Sequence, residues 1–361
     1  MKVLQVINSL ATGGAEKLLL DTIPLYNKMG IHTDLLILNG TNFPFLAKLK
    51  NIKCCKIFDL GTSSVYNPLL IFKIIPYLKK YDVAHAHLFP TQYWVVLAKL
   101  ISFSKITLVF TEHCTINRRR VNPFFKLIDK FIYKHVEKIV CITNEVQKIL
   151  LNYTKMDQVK FPIINNGIDV SYYKEANSIS RSEIDINLAE SDKLIVQIAG
   201  FREQKDQITL IKAMRYLPDT VKLLLVGEGV LKSTCIDLVK KLELNERVFF
   251  LGVRTDIPEL LKTVDIVVLS TKYEGLSLSC IEGMASGKPF IASKVPGLTE
   301  IVEGAGLLFE CCNEKELAFH VQELLDNPMH YDKVAKACQE RGMQHNIQIM
   351  VEKHISLYKS L

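Results

Sequence analysis

Apolar runs of four to six residues alternate with longer stretches of helical periodicity along all 361 residues. That alternation is the pattern of a parallel α/β architecture, whose strands are buried on both faces and read as continuous apolar runs. In the first half the pattern predicts strands at about residues 3–7, 34–38, 83–87, 107–111, 139–142 and 161–164. In the second half it predicts them at about 194–199, 222–226, 248–250, 266–269, 290–292 and 307–309. A polar stretch at 172–192 separates the two sets. The expected organisation is two Rossmann-like domains facing a cleft, over 1–170 and 193–342, with a linker at 171–192 and a terminal helix in 343–361.

Residues 265–290, DIVVLSTKYEGLSLSCIEGMASGKPF, carry the strongest local signal. A short strand, a polar turn and a helix from about 277 to 286, stopped by Gly287 and Pro289, would aim backbone N–H groups and the positive end of a helix dipole at an anion. Glu274 and Glu282 bracket the helix start. Carboxylates beside an anion hole repel a phosphate, so they suit hydroxyls flanking it. A nucleotide-sugar offers that pattern; two exposed glutamates around an ordinary βα turn is the other reading. Arg202 and Lys205 follow the strand at 194–199 and suit a pyrophosphate, one as a planar fork and the other as a compact charge, or are ordinary surface cations. Gly13-Gly14 after the first strand and Gly227-Glu228-Gly229 after the strand at 222–226 let backbone approach a ligand, or simply turn the chain. His85, His87 and His113 end strands at the edge where open α/β sheets bind ligands, and satisfied structural histidines are the alternative.

Between residues 115 and 140 the pattern changes. Asn122 and Pro123 form a helix start, and Lys126, Lys130, Lys134 and Lys138 recur every four residues, opposite Phe124, Leu127, Ile128, Phe131 and Ile132. With Arg118 and Arg119 just upstream, this reads either as an amphipathic helix resting on anionic lipid or as a core-packed helix with solvated lysines.

Charge supports an uneven division of labour. The formal total is +7, but residues 1–170 hold 22 Lys+Arg against 11 Asp+Glu, and the remainder holds 23 against 27. The basic half carries no helix-turn-helix, zinc-finger or RNA-binding signature, so an anionic membrane face is a better expectation than nucleic acid. Hydrophobic residues at 48% and charged residues at 23% are globular values. No apolar run approaches the roughly 20 residues of a membrane span, and MKVLQVINSL reads as a first strand rather than a signal peptide. Nine cysteines without a C-x-x-C pair suggest neither a disulfide framework nor a zinc site. These features together predict a cytoplasmic protein. No Asp-x-Asp pair, Walker A loop, H-E-x-x-H or G-x-S-x-G occurs, so no metal or other cofactor is expected.

Glu274 and Glu282 within YEGLSLSCIEGMASGKPFIAS, followed by PGLTEIV, resemble the signature of retaining glycosyltransferases of the GT-B fold, in the family numbered four. The resemblance extends in order through GGAE at 13–16, TEH at 111–113, NNGID at 165–169, FREQKD at 201–206 and VGEG at 226–229. It implies an enzyme that moves a sugar from a nucleotide-diphospho-sugar to an acceptor with retention and without a metal. It further implies that Glu282 binds the ribose and Glu274 the donor sugar's hydroxyls. Arg202, Lys205 and the backbone of Gly275, Leu276, Ser277, Leu278 and Ser279 would stabilise the departing diphosphate. Gly229 and Val253 would help to hold the nucleotide. His113, Gly13, Gly14 and Asn166 would complete the donor pocket, and the terminal helix would cross back to the first domain. Relatives usually carry an arginine where this chain has Gly200, so Arg202 either takes over that role or the contribution is lost. The implied acceptor is a lipid-linked or growing surface saccharide, such as a capsule or lipopolysaccharide precursor. Two rivals differ in chemistry: an epimerase of the same fold, which would isomerise donor alone, and a non-catalytic nucleotide-sugar-binding protein.

Overall fold

The computed structural model describes residues 1–115 and 118–361, with the side chain of Arg118 also outside the described set. It divides into two compact units, Met1–Gly167 with Ile347–Leu361, and Ile168–Asn346.

The first unit is a six-stranded parallel sheet. Its strands are β1 (Lys2–Ile7), β2 (His32–Ile37), β3 (Ile57–Asp59), β4 (Val83–His87), β5 (Thr107–Glu112) and β6 (Lys138–Cys141), in the order β3-β2-β1-β4-β5-β6. Continuous apolar runs give strands buried along nearly their whole length, as in β1 and β2. Helix α1 (Gly14–Lys28) covers β1 and β2 by packing Leu19, Leu20 and Ile23 against Ile7, Leu35 and Ile37. Residues 161–164 do not form a strand; the chain there makes an isolated bridge between Cys141 and Ile163. The sheet's other edge, β3, is short and only half-buried.

The second unit repeats the topology. Its strands are β7 (Lys193–Ile198), β8 (Val221–Val226), β9 (Val248–Gly252), β10 (Ile266–Leu269), β11 (Phe290–Ser293) and β12 (Leu307–Phe309), ordered β12-β11-β10-β7-β8-β9. Gln197, buried in β7, uses its amide as an extra rung: Oε1 accepts from Ser270 N at 3.0 Å, and Nε2 donates to Ser270 O at 3.2 Å. The stretch read as a linker holds two short helices of this unit, Val170–Glu175 and Arg181–Ile184. The first is capped by Asp169 and packs on the helix Leu278–Ala285. At the chain's end, the helix Ile347–Lys359 belongs to the first unit and packs on α1.

The lysine repeat does not stay on one helix. The helix Pro123–Lys134 is capped by Asn122, whose side chain accepts from Phe124 N at 2.9 Å. It ends before Lys138, which sits in β6 and donates to Val159 O at 3.0 Å. Asp129, Ile132 and Tyr133 form its buried face. Phe124, Leu127 and Phe131 stay exposed, at 67%, 71% and 49%, flanked by Lys126, Lys130 and Lys134. Of the apolar residues on the face opposite the lysines, Ile132 packs inward, whereas Phe124, Leu127 and Phe131 form an outward ridge. Arg119 does the reverse: its guanidinium lies 3.1 Å from the buried Asp129 carboxylate and 4.0 Å from the centre of the Phe89 ring. It does not face outward, because Asp129 requires a cation.

Candidate functional site

In the second unit the loops after β7 and β10 are knitted together. Lys205 and Thr271 form an antiparallel bridge, and Thr271 Oγ1 lies 2.9 Å from Gln204 O. Glu274 Oε1 sits at the junction, where it receives the Lys205 ammonium and lies 3.1 Å from Thr271 Oγ1. The Lys205 and Glu274 side chains are 15% and 7% exposed, so this is an ion pair largely out of water. Gly297, at φ +86°, comes from the loop after β11; a Cβ there would lie 2.5 Å from the carbonyls of Glu274 and Gly275. Only glycine lets that loop close on the turn.

Three residues beyond Glu274, Ser277 caps the helix α2 (Leu278–Ala285) with extended backbone. Its hydroxyl lies 3.0 Å from Ser279 Oγ and makes no capping bond to the helix. The N–H groups of Leu278, Ser279 and Cys280 thus keep the donor capacity that a helix's first turn leaves over, next to the Lys205–Glu274 pair in sequence and space. Glu282 lies on the buried side of α2 and accepts from Tyr173 Oη at 2.7 Å. Tyr173 was not anticipated, since it falls in the polar stretch read as linker; the Asp169 cap was the signal that could have revealed its helix.

Around this junction the other anticipated residues fall as follows. Arg202 is exposed, and its Nε lies 3.6 Å from where a Cβ on Gly200 would be. Gly229 abuts the Phe201 backbone so closely that a side chain would collide with its carbonyl. Val253 is 52% exposed after β9, beside Arg254, which pairs with Asp256.

In the first unit, Gly13 caps α1 and Gly14 opens it. Asn166 is buried at the unit's last strand-like segment. Glu112, the last residue of β5, pairs with Arg120 at 2.7 Å. His113 is half-buried, and its Nε2 lies 3.2 Å from His87 Nδ1. His87 Nε2 is 2.9 Å from Gln5 Oε1, and His85 is held between Tyr358 Oη at 2.6 Å and Thr111 Oγ1 at 2.7 Å. Burial and mutual proximity lower the pKa values of His85 and His87 well below the ordinary range, and burial brings His113 and His354 to about 4. Gln5, Tyr358 and His354 were not anticipated as members of this group.

One trio among the described residues has metal-ligand proximity: Asp206, Cys311 and Cys312. The two thiol sulfurs are 3.6 Å apart, and the Asp206 carboxylate already accepts from Thr209 Oγ1 at 2.6 Å.

Two doubly wound units of identical strand order, each gathering polar residues at strand C-terminal ends, define the GT-B architecture. The family model for Glycosyltransferase Family 4 matches residues 12–172, and that for Glycosyl transferases group 1 matches 179–344. The chain belongs to this family of GT-B glycosyltransferases and is a glycosyltransferase. It is 26% identical over 77% of its length to N-acetyl-alpha-D-glucosaminyl L-malate synthase of Bacillus anthracis, covering 74% of that protein. It is also 26% identical, over 93% of its length and 92% of the relative's, to a Campylobacter jejuni enzyme. That enzyme is N-acetylgalactosamine-N,N'-diacetylbacillosaminyl-diphospho-undecaprenol 4-alpha-N-acetylgalactosaminyltransferase. Among solved structures, Anabaena HepE in complex with UDP-glucose superposes with a TM-score of 0.88 at 21% identity, covering all of both chains.

Proposed function

We propose that this glycosyltransferase takes a sugar from a nucleoside-diphosphate donor and transfers it, with retention and without a metal, to a lipid-linked saccharide during surface polysaccharide assembly. The observation that carries the donor part is the Lys205–Glu274–Thr271 junction placed against the first turn of α2. Without donor, the Lys205 ammonium neutralises Glu274. With donor, Lys205 and the amides of Leu278, Ser279 and Cys280 face the diphosphate and stabilise charge as it leaves, while Glu274 is released to the sugar hydroxyls. Arg202, lying beside the Gly200 position, supplies the second cation. Glu282, oriented by Tyr173, reads the ribose, and Gly229 and Val253 flank the base. His113, Asn166 and the Gly13-Gly14 turn serve the sugar and the acceptor.

Support for a lipid-linked acceptor comes from two sources. The Campylobacter relative acts on a diphospho-undecaprenol substrate. The exposed Phe124, Leu127 and Phe131 ridge rimmed by lysines suits the anionic inner face of a cytoplasmic membrane. Among the described residues no helix is long and apolar enough to cross a membrane, so contact would be peripheral.

A thermal-shift panel of nucleotide-sugars tests the donor reading. At a hundredfold excess over Kd a ligand adds about 2.7 kcal/mol, which for a domain of ~150–250 residues is about 5–10 °C. The shift is expected to persist in chelator, and the anomeric configuration of the product by NMR checks retention. Absence of stabilisation by every nucleoside diphosphate and its sugar conjugates would refute the assignment; a shift that vanishes with chelator would refute metal independence.

A further inference from the structure

We propose that Gln5, His87 and Tyr358 are positioning residues that place the proton of His113 on Nε2, so that the ring offers a sugar hydroxyl the lone pair of Nδ1. This rests on the reading above that His113 meets the donor sugar, and it adds which way the hydrogen bond runs.

Six side chains form one continuous line: His113, His87, Gln5, Tyr358, His85 and Thr111. They come from β5 and the residue after it, β4, β1 and the terminal helix, which are remote in sequence; Gln5 and Tyr358 are 353 residues apart. A neutral imidazole has one N–H and one lone pair, and a phenol or hydroxyl has one proton. The three histidines are held neutral by burial beside one another. Every bond in the line therefore runs in a sense set by its neighbour. The amide is the one member whose donor and acceptor ends are distinct atoms, so Gln5 sets that sense for both arms.

The orientation of the Gln5 amide chooses between the two senses. Tyr358 Oη lies 2.6 Å from His85 Nδ1. It accepts from Gln5 Nε2 at 3.3 Å, while Gln5 Oε1 lies 2.9 Å from His87 Nε2. Tyr358 thus donates to His85 and accepts from the Gln5 NH2 group, and the Gln5 carbonyl must face His87. His87 then donates through Nε2 at 2.9 Å and accepts at Nδ1, where His113 Nε2–H donates at 3.2 Å. On the other arm, His85 Nε2–H donates to Thr111 Oγ1 at 2.7 Å. Among the described residues no other partner of His113 is present, so Nδ1 is left as an acceptor.

The chemical consequence is discrimination by donor capacity. A hydroxyl satisfies Nδ1; fluorine, which cannot donate, does not. At the sugar position read by His113, a fluoro donor is expected to lose as much kcat/KM as the deoxy donor, at least tenfold, and His113→Ala should erase the difference from the natural sugar.

Nitrogen NMR of the full-length chain with 15N-labelled histidine reads the tautomer directly. The wild type is expected to show His113 protonated at Nε2 and bare at Nδ1 near neutral pH. Gln5→Glu, which keeps an acceptor facing His87, should preserve that pattern; Gln5→Leu should yield a mixture of tautomers. A wild-type His113 protonated at Nδ1, or a ring pattern identical in wild type and a folded Gln5→Leu, would overturn the proposal. The expected tautomer with sugar analogues indifferent to His113→Ala would instead overturn the assignment of His113 to the sugar.

Discussion

Replacing Lys205 by Met and Glu274 by Gln, singly and together, separates what this pair does for the fold from what it does for the reaction. Both side chains are mostly out of water, at 15% and 7% exposure. Removing the ammonium alone leaves the Glu274 carboxylate without its cation. For a fully buried pair that costs about 3–5 kcal/mol; residual exposure and the Thr271 hydroxyl 3.1 Å away lower the expectation to about 2–3 kcal/mol. In a domain of ~150–250 residues this lowers the melting temperature by about 4–12 °C. Removing the carboxylate alone should cost less, because the ammonium is the more exposed partner and can turn to water. The double variant carries no unpaired charge and should recover most of the loss, a coupling of about 2 kcal/mol in the cycle. Activity should follow a different rule: each of the three variants is expected to fall at least ~100-fold in kcat/KM, the scale for losing one preorganised charge-stabilising group. Thermal unfolding without donor and steady-state transfer assays provide both readouts. Additive destabilisation would show that the pair is not coupled, and recovery of activity alongside stability would show that the residues serve only the fold.

Acid should unfold the first unit selectively. Burial depresses the pKa of His85, His87, His113 and His354 in the folded state, the last two to about 4, so below pH ~6.5 the unfolded chain binds more protons. Their contribution is present above that pH and is lost as pH falls from about 6.5 towards 4, at up to about 1.4 kcal/mol per histidine per pH unit. A melting temperature unchanged between pH 7 and 5 would contradict this. At the membrane, replacing Lys126, Lys130 and Lys134 by Gln should weaken binding to anionic vesicles about 100-fold, at about 1 kcal/mol per lysine, and Leu127→Ser with Phe131→Ser should weaken it further. Co-sedimentation measures both; retention of binding by the lysine variant would remove the lipid reading.

The strand pattern was legible because parallel strands buried on both faces cannot hide their composition, and β10 coincides with its apolar run at 266–269. The edges were less legible. β3 is a three-residue strand, half-exposed and weakly apolar, whereas residues 161–164 look like a strand but make only one isolated bridge. Four-residue spacing suggested a lysine face through Lys138, but spacing alone does not register that the helix has ended at Lys134. The outward ridge could not be inferred from periodicity, because an apolar stripe has the same spacing whether it meets a core or water. Arg119 looked like one of three exposed cations until the fold placed Asp129, ten residues away, beneath it. Candidate site residues at strand ends could be proposed from local motifs. Their supporting partners Tyr173, Gln5 and Tyr358 were not, since each meets its site residue only through tertiary contact.

The two units solve one topological problem with different materials. In each, the order reverses beside the first strand, between β1 and β4 and between β7 and β10, and ligands of open α/β sheets bind where that reversal parts the loops. In each, a buried glutamine on the first strand reaches across this reversal to the C-terminal end of its neighbour: Gln5 to His87, and Gln197 to Ser270. Gln197 spends both amide ends on backbone, which fixes the strand leading into Thr271, Glu274 and α2. A site that must hold fixed dipoles against a diphosphate gains from rigid backbone. Gln5 spends its ends on titratable side chains, which transmits an orientation rather than a position. On the reading proposed for His113, a line of neutral side chains distinguishes hydroxyl donors from acceptors without burying a charge.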